Sequence, residues 1–261
     1  MRKLSNYYLT LVVILLYFPI FYLMFYSFNS AGSMSSFDSF TVEHYLNIFT
    51  DTRLIVIILN TLAVALISSA AAALIGLGGA LFLYNVKHST RHLLLSINNI
   101  MIVSPDVIIG ASLLILFTVL GISLGPVSVI LAHIAFSVPI VVLMILPKLY
   151  NMNRSLVDAA RDLGADSKTI ILKVIIPFIK PGIIAGFFMA LTYSLDDFAV
   201  TFFVTGSGFS VLSVEIYAMA RRGITLEINA VSTLIFIFVL SLVFIYYLLS
   251  TRNQMKRGTV K

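Results

Sequence analysis

Six stretches of this 261-residue chain are each apolar for about as long as a bilayer is thick. They run over about 8–28, 54–83, 93–120, 127–146, 181–204 and 230–249. A helix that crosses roughly 30 Å of hydrocarbon needs about 20 such residues. With no water in the bilayer core, a spanning segment must satisfy its own backbone polar groups, which a helix does. The sequence therefore predicts an all-α membrane protein: six transmembrane helices forming a single transmembrane domain over 1–261. Composition agrees, since 11% of residues are charged against about 25% in a soluble domain.

The N-terminal Met-Arg-Lys and the apolar run after it look like a signal peptide. The run from Tyr7 to Phe28 is too long for one, and no small-residue cleavage pattern closes it, so it is read as a retained first span. Pro19 lies inside it. The second span carries Ser68-Ser69-Ala70-Ala71-Ala72-Ala73 and then Gly76, Gly78 and Gly79. Small residues let helix backbones approach closely, which predicts a central position for this helix. The third span is interrupted at Ser104-Pro105-Asp106. Ser before Pro predicts a helix restart, with Ser104 as N-cap and Pro105 as first helical residue. Gly125-Pro126 turns the chain into the fourth span, which contains Pro139.

Lys and Arg set the orientation. Of 17 such residues, 14 fall at the termini and in loops on the N-terminal side; only Arg53, Arg221 and Arg222 fall on the other. Loops rich in Lys and Arg stay in the cytoplasm, so both termini are expected there. The same bias accounts for the net charge of +6 without a nucleic-acid partner. The chain has no cysteine, so disulfides and thiolate chemistry are excluded. It has no Trp, so interfacial anchors must be Tyr and Phe.

Between the fourth and fifth spans lies a charged segment, Ser155 to Pro177. Leu156, Ala159, Ala160, Leu163 and Gly164 share one helical face. Ser155 and Asp158 have the spacing of a capping box, and Gly164 can end the helix in the left-handed conformation. Asp166 or Ser167 can cap a second helix over Lys168–Ile176, closed by Pro177. The expected form is a short helix, a glycine elbow and a second helix. Ala159, Ala160 and Gly164 leave the first helix with almost no side-chain bulk on one face, which suits insertion into a partner's groove. An ordinary amphipathic loop on the membrane surface has the same pattern.

These residues resemble the signature of inner-membrane permease subunits of ABC importers: Glu-Ala-Ala, three residues, Gly, nine residues, Ile-x-Leu-Pro. This chain has Asp158-Ala159-Ala160, Gly164, Val174, Ile176 and Pro177 at the same spacing. Asp replaces Glu, Val replaces Ile and Ile replaces Leu. The resemblance implies the type I (MetI-like) permease fold. It also implies that the 155–177 segment docks into a separate ATPase subunit, with Asp158, Ala159, Ala160, Arg161, Gly164 and Pro177 as coupling residues. A pair of ATPase subunits, a second and related permease chain, and an extracellular binding protein are the implied partners. Tyr193-Ser194-Leu195-Asp196-Asp197-Phe198, with Glu227-Ile228-Asn229-Ala230, Ser104-Pro105-Asp106 and Leu120-Gly121-Ile122, is similar to permeases of spermidine/putrescine importers. That similarity implies a polyamine as cargo.

Three of the 11 acidic residues, Asp106, Asp196 and Asp197, lie within expected spans. An acid in hydrocarbon costs about 2.5–3.5 kcal/mol on the insertion scale, so it normally faces a cavity or a partner. Asp197 lies roughly 24 Å beyond Pro181 and Asp106 about 12 Å beyond Asn98 at the helical rise, which puts the acids at two depths. With aromatic neighbours such as Tyr193 and Phe198, they suit a polycation. The same residues admit another reading: Asp106 caps the helix after Pro105, and Asp196 or Asp197 hydrogen-bonds a neighbouring helix. Adjacent residues lie about 100° apart on a helix, so Asp196 and Asp197 are not expected to face one pore together.

His133 is read as a hydrogen bonder in helix packing. No His pair has metal-ligand spacing, and no Gly-Lys-Ser/Thr follows the glycines of span two. No cofactor, metal, catalytic residue or ATP site is therefore expected. An ion-coupled secondary transporter would need an internal repeat with broken helices, and an intramembrane protease a nucleophile motif around His133; neither pattern is found. The loop 209–229 predicts a short interfacial helix. Glu215, Arg221 and Arg222 on it are candidates for docking the binding protein.

Overall fold

The computed structural model describes residues 2–222 and 226–258. The chain packs as two compact units, Met1–Val56 with Ile216–Lys261, and Ile57–Glu215. Among the described residues all regular structure is helical, apart from one isolated bridge between Asn29 and Phe40.

The first unit contains α1 (Arg2–Tyr26), α2 (Glu43–Thr50) and α12 (Leu226–Gly258), with α1 and α2 both packed on α12. α1 runs through Pro19 as expected. The polar segment after it folds around Asn29. Its side-chain nitrogen donates to the carbonyls of Ser33 and Ser36, and its oxygen accepts from the amides of Ala31 and Asp38. A buried amide with all these bonds made explains how a Ser-rich stretch holds one conformation.

The second unit holds the remaining helices. They are most of α3 (Thr52–Asn85), then α4 (His88–Val103), α5 (Asp106–Val119), α6 (Pro126–Tyr150), α7 (Ser155–Asp162) and α8 (Ser167–Ile170), then α9 (Ile176–Asp196), α10 (Ala199–Val204) and the start of α11 (Leu212–Arg222). Its centre is α6, which buries residues around its whole circumference from Ser128 to Leu149. A helix apolar on all sides belongs in the middle of a bundle. α9 is its most extensive partner. The small residues of α3 do approach closely, with Ala72 and Ala80 fully buried in one core with Val141, Val142 and Ile145 of α6.

Among the described residues, four helices are long and apolar enough to span, or five if the bent pair α4 and α5 counts as one. The expected sixth span, 230–249, falls within α12, whose apolar stretch among the described residues is Leu226–Ser241; the side chains at 242, 243 and beyond 244 lie outside the described residues. The third span departs from expectation. α4 and α5 meet at 104°, a sharp break rather than a restart in line. Ser104 does not cap α5. Its hydroxyl bonds back to Ile100 at 2.7 Å, closing α4. Proline at 105 forces Ser104 into an extended conformation (ψ 138°), which ends the helix before it. α5 starts at Asp106, with the amides of Ile108 and Ile109 on the Pro105 carbonyl.

The fifth span departs too. Pro177 does not close a helix. A π turn, Ile171–Ile175, joins α8 to α9, and Ser167–Asp196 forms one apolar helical run of 30 residues. The amide of Ile176 reaches back five residues to Ile171. Widening the turn just before Pro177 absorbs the lost amide and gives its ring room, so the helix continues. The run ends at Asp196 rather than near 204.

Candidate functional site

The segment 155–177 takes the expected outline by different local means. The capping box is not formed. Asn153 takes the Ser155 amide at 3.1 Å through an Asx turn, and Asp158 lies 3.7 Å from Arg161 one turn on. Asp158 and Arg161 are each 67% exposed, so their pairing adds little stability. Gly164 does form the elbow at φ +80°. The Ala165 amide reaches the Ala160 carbonyl and the Gly164 amide that of Arg161, the paired bonds of a Schellman motif. Asp166 caps α8 by accepting the Thr169 amide at 3.1 Å. Hydrogen bonds from Thr169, side chain first and then amide, hold the Asp166 carboxyl below its ordinary range. α7 buries none of its residues, and Leu163 beside the elbow is 89% exposed. Pro177 lies beyond the π turn, in the first turn of α9.

A second polar site lies where α9 breaks. Asp197 turns extended (ψ 119°) and its carboxylate folds over the start of α10. It accepts the amides of Val200 and Thr201 and the Thr201 hydroxyl, the last at 2.7 Å. His133, fully buried on α6, sits between Ser194 of α9 (Nδ1 to Oγ, 2.6 Å) and Thr201 of α10 (Nε2 to Oγ1, 2.8 Å). Ser194 in turn meets Ser68 of α3 at 3.2 Å.

The proton positions follow from the ends of this chain. A carboxylate only accepts, so Thr201 donates to Asp197 and accepts from His133 Nε2–H. With the imidazole neutral, His133 Nδ1 is then the acceptor for the Ser194 hydroxyl, and Ser194 accepts from Ser68, whose hydrogen is shared with the Ala65 carbonyl at 3.4 Å. Every hydrogen points towards Asp197, and each bond polarises the next. The relay ties four helices, α3, α6, α9 and α10, at one level. Ser213 adds a donor at 2.6 Å to the Asp197 carbonyl, and Ser128 closes the far end of α10 through the Val204 carbonyl at 2.8 Å.

The three acids of the expected pathway are therefore not equivalent. Asp197 is 7% exposed in its side chain and spends its oxygens on α10. Asp196, Tyr193 and Asp106 are exposed, and Phe198 is half-buried. The reading of His133 as a packing hydrogen bonder holds. The sequence assigns Ser68, Ser194 and Thr201 no polar role, although Asp197 and Thr201 have capping spacing. A short helix, α11, forms in the loop 209–229. On it Glu215 is buried at 3% exposure, Arg221 is exposed with its guanidinium 5.7 Å from the Tyr217 ring, and the Arg222 side chain lies outside the described residues.

Long membrane helices around a buried α6, with an exposed helix–glycine–helix segment emerging between α6 and α9, define a helical transport permease. Residues 72–256 match the family described as binding-protein-dependent transport system inner membrane component, and the chain belongs to that family. It is 33% identical over 251 residues to the Haemophilus influenzae spermidine/putrescine transport system permease protein PotC, covering 96% of this chain and 98% of that one. It is 32% identical over 249 residues to the Escherichia coli putrescine transport system permease protein PotI, covering 93% and 89%. A solved bacterial ABC transporter involved in the import of the acidic polysaccharide alginate shares the fold, with a TM-score of 0.68 at 14% identity over 96% of this chain and 95% of that one. The chain is thus a permease subunit of an ABC importer, the non-catalytic membrane component of a system whose ATPase, partner permease and binding protein are separate subunits.

Proposed function

We propose that the chain imports polyamines, spermidine or putrescine, across a bacterial cell membrane, with both termini in the cytoplasm. The near full-length identity to a spermidine/putrescine permease carries this reading. The exposed acids support it. Asp106 and Asp196 offer carboxylates to separate amines, and Tyr193 and Phe198 offer aromatic faces to the charge and the methylenes between. Asp197 contributes by holding the break that presents Asp196.

Two ATPase subunits close on ATP, and the segment with Asp158, Ala159, Ala160, Arg161 and Gly164 moves with the one that grips it. The pore shifts from inward-facing to outward-facing and receives substrate from a binding protein seated near Arg221 and its neighbours on α11. A related but different permease chain completes the pore wall. The orientation counts α4 and α5 as one broken span, in keeping with the Lys and Arg bias.

Reconstitution of the complete transporter in proteoliposomes tests this. ATP-dependent uptake of radiolabelled spermidine or putrescine is expected. Uptake of neither, with an active ATPase and loaded binding protein, overturns the substrate.

A further inference from the structure

α7 buries nothing of its own. Chain continuity links it to α6 at one end and, through α8 and the π turn, to α9 at the other. α3 and α4 pack on α6 through apolar side chains of one core, among them Ala80, Leu83, Leu94 and Leu95. A stack of four side chains adds a directional tie from the base of α7. Arg91, in the first turn of α4, donates to three carbonyls at the end of α3: Nε to Leu83 at 2.8 Å, and Nη2 to Tyr84 at 3.0 Å and Val86 at 3.1 Å. These are carbonyls that a helix end leaves without partners of its own. The same guanidinium lies 5.4 Å from the ring of Tyr150, the last residue of α6. Tyr150 lies 5.9 Å from Tyr84, and the Arg154 guanidinium, immediately before α7, lies 5.8 Å from the Tyr84 ring. Two cations flank two rings, in the order Arg91, Tyr150, Tyr84, Arg154. The stack rests on the core shared by Leu83, Leu149 and Ile179, with Leu94 and Leu95 of α4 packed against it.

We propose that this stack is the joint through which a displacement of α7 is passed to α3 and α4, making Arg91, Tyr84, Tyr150 and Arg154 positioning residues for coupling. The planar fork of Arg91 suits the task, since it holds a helix end and a ring at once; a lysine ammonium has no such fork. With the joint intact, α6, α9, α3 and α4 answer one push together. Without it α3 and α4 follow α6 through the shared core packing alone, and lag behind α6 and α9. This inference rests on the proposed ATP-driven import.

The test uses the complete transporter in proteoliposomes and reads substrate imported per ATP hydrolysed. Tyr84→Phe keeps the ring and retains the wild-type ratio. Tyr84→Leu removes it and lowers the ratio about two- to fivefold, the scale of one or two cation–π contacts. Arg154→Gln gives a similar loss, and combining it with Tyr84→Leu adds little because both break one contact. A wild-type ratio in Tyr84→Leu, or fully additive losses, overturns the joint. The native chain lacks cysteine, so spin labels at Ser89→Cys and Ser155→Cys report α4 against α7 and cover the case where Tyr84→Leu assembles poorly. Their separation stays constant between nucleotide-free and ATP-trapped states with the joint intact; a change in that background overturns the proposal. Failure of the import reading looks different: the wild-type complex itself shows no ATP-dependent uptake.

Discussion

Thr201 gives its hydroxyl hydrogen to Asp197 Oδ2 at 2.7 Å, across the break between α9 and α10. Thr201 Oγ1 itself accepts from His133 Nε2 at 2.8 Å. One hydroxyl therefore satisfies a buried carboxylate and a buried imidazole. Thr201→Val keeps the shape, leaves the His133 N–H without its acceptor at about 1–3 kcal/mol, and takes from Asp197 one of its three accepted bonds. Thr201→Ser restores the hydroxyl and forgoes a methyl, worth about 1 kcal/mol. Thermal unfolding of the detergent-solubilised complex should rank wild type, Ser, then Val, with Val clearly lowest. Equal midpoints for Val and wild type would remove the relay as a structural element.

Asp196 and Asp197 separate by readout. Asp197→Asn weakens three accepted bonds at the start of α10, so it lowers stability first and transport as a consequence. Asp196 is exposed at the end of α9. Asp196→Asn should leave the unfolding midpoint unchanged and weaken polyamine uptake about tenfold or more, the scale of one lost bond to a charged group. Uptake unchanged in Asp196→Asn would take it out of the pathway.

These assignments mark where sequence reasoning reaches and where it stops. The apolar runs, the Gly164 elbow and the packing role of His133 were legible, because each follows from local composition or from the cost of an exposed backbone or a buried ring. The 104° bend between α4 and α5 was not. Ser104-Pro105 announces a break, but its angle is set by what α5 packs on. Pro177 misled for a related reason. A proline normally ends a helix, and only the π turn before it, stabilised by the bundle, lets the helix pass. The relay through Ser68, Ser194 and Thr201 joins residues up to 133 positions apart, a juxtaposition that no local pattern encodes. Asp197 showed as an intramembrane acid, yet its direction depended on a helix break that composition does not reveal.

Gly110 is where α5 meets α10. A Cβ there would lie 2.8 Å from Phe203 Cδ2, 3.0 Å from Val200 Cα and 3.2 Å from the Ala199 carbonyl oxygen. Alanine would gain about 1 kcal/mol of helix propensity. The ring of Phe203 can yield, but the two backbone atoms cannot without moving α10, and overpacking of this kind costs about 1–3 kcal/mol. Gly110→Ala should therefore be mildly destabilising and Gly110→Leu severely so, with loss of assembled complex on size exclusion. A Leu variant that assembles normally would mean that α10 is free to shift.

Asp166 makes α8 sensitive to acid. Its folded carboxyl titrates below the ordinary range because Thr169 hydrogen-bonds the charged form. A depressed folded value stabilises fully above the unfolded value, about 3.9, and the gain disappears as pH falls through the lower folded value. Hydrogen exchange at the Thr169 amide should accelerate, after correction for intrinsic rates, only below that range. Asp166→Asn caps comparably and should remove the acid step. An unchanged step in Asn would assign it to another group.

Gly164 distinguishes backbone from surface. At φ +80° any side chain incurs the left-handed cost, about 1–2 kcal/mol. A Cβ there meets nothing within 4 Å, so within this chain Gly164→Ala and Gly164→Trp should cost nearly the same. A groove on an ATPase subunit would separate them, since alanine adds one methyl and tryptophan a bulk that cannot be seated beside Ala159 and Ala160. The measurement is the amount of ATPase co-purified with the permease, together with the unfolding midpoint of the permease itself. Equal midpoints with ATPase retained by Ala and lost by Trp are expected. Equal retention by both would mean that the Gly164 face is not what the ATPase grips.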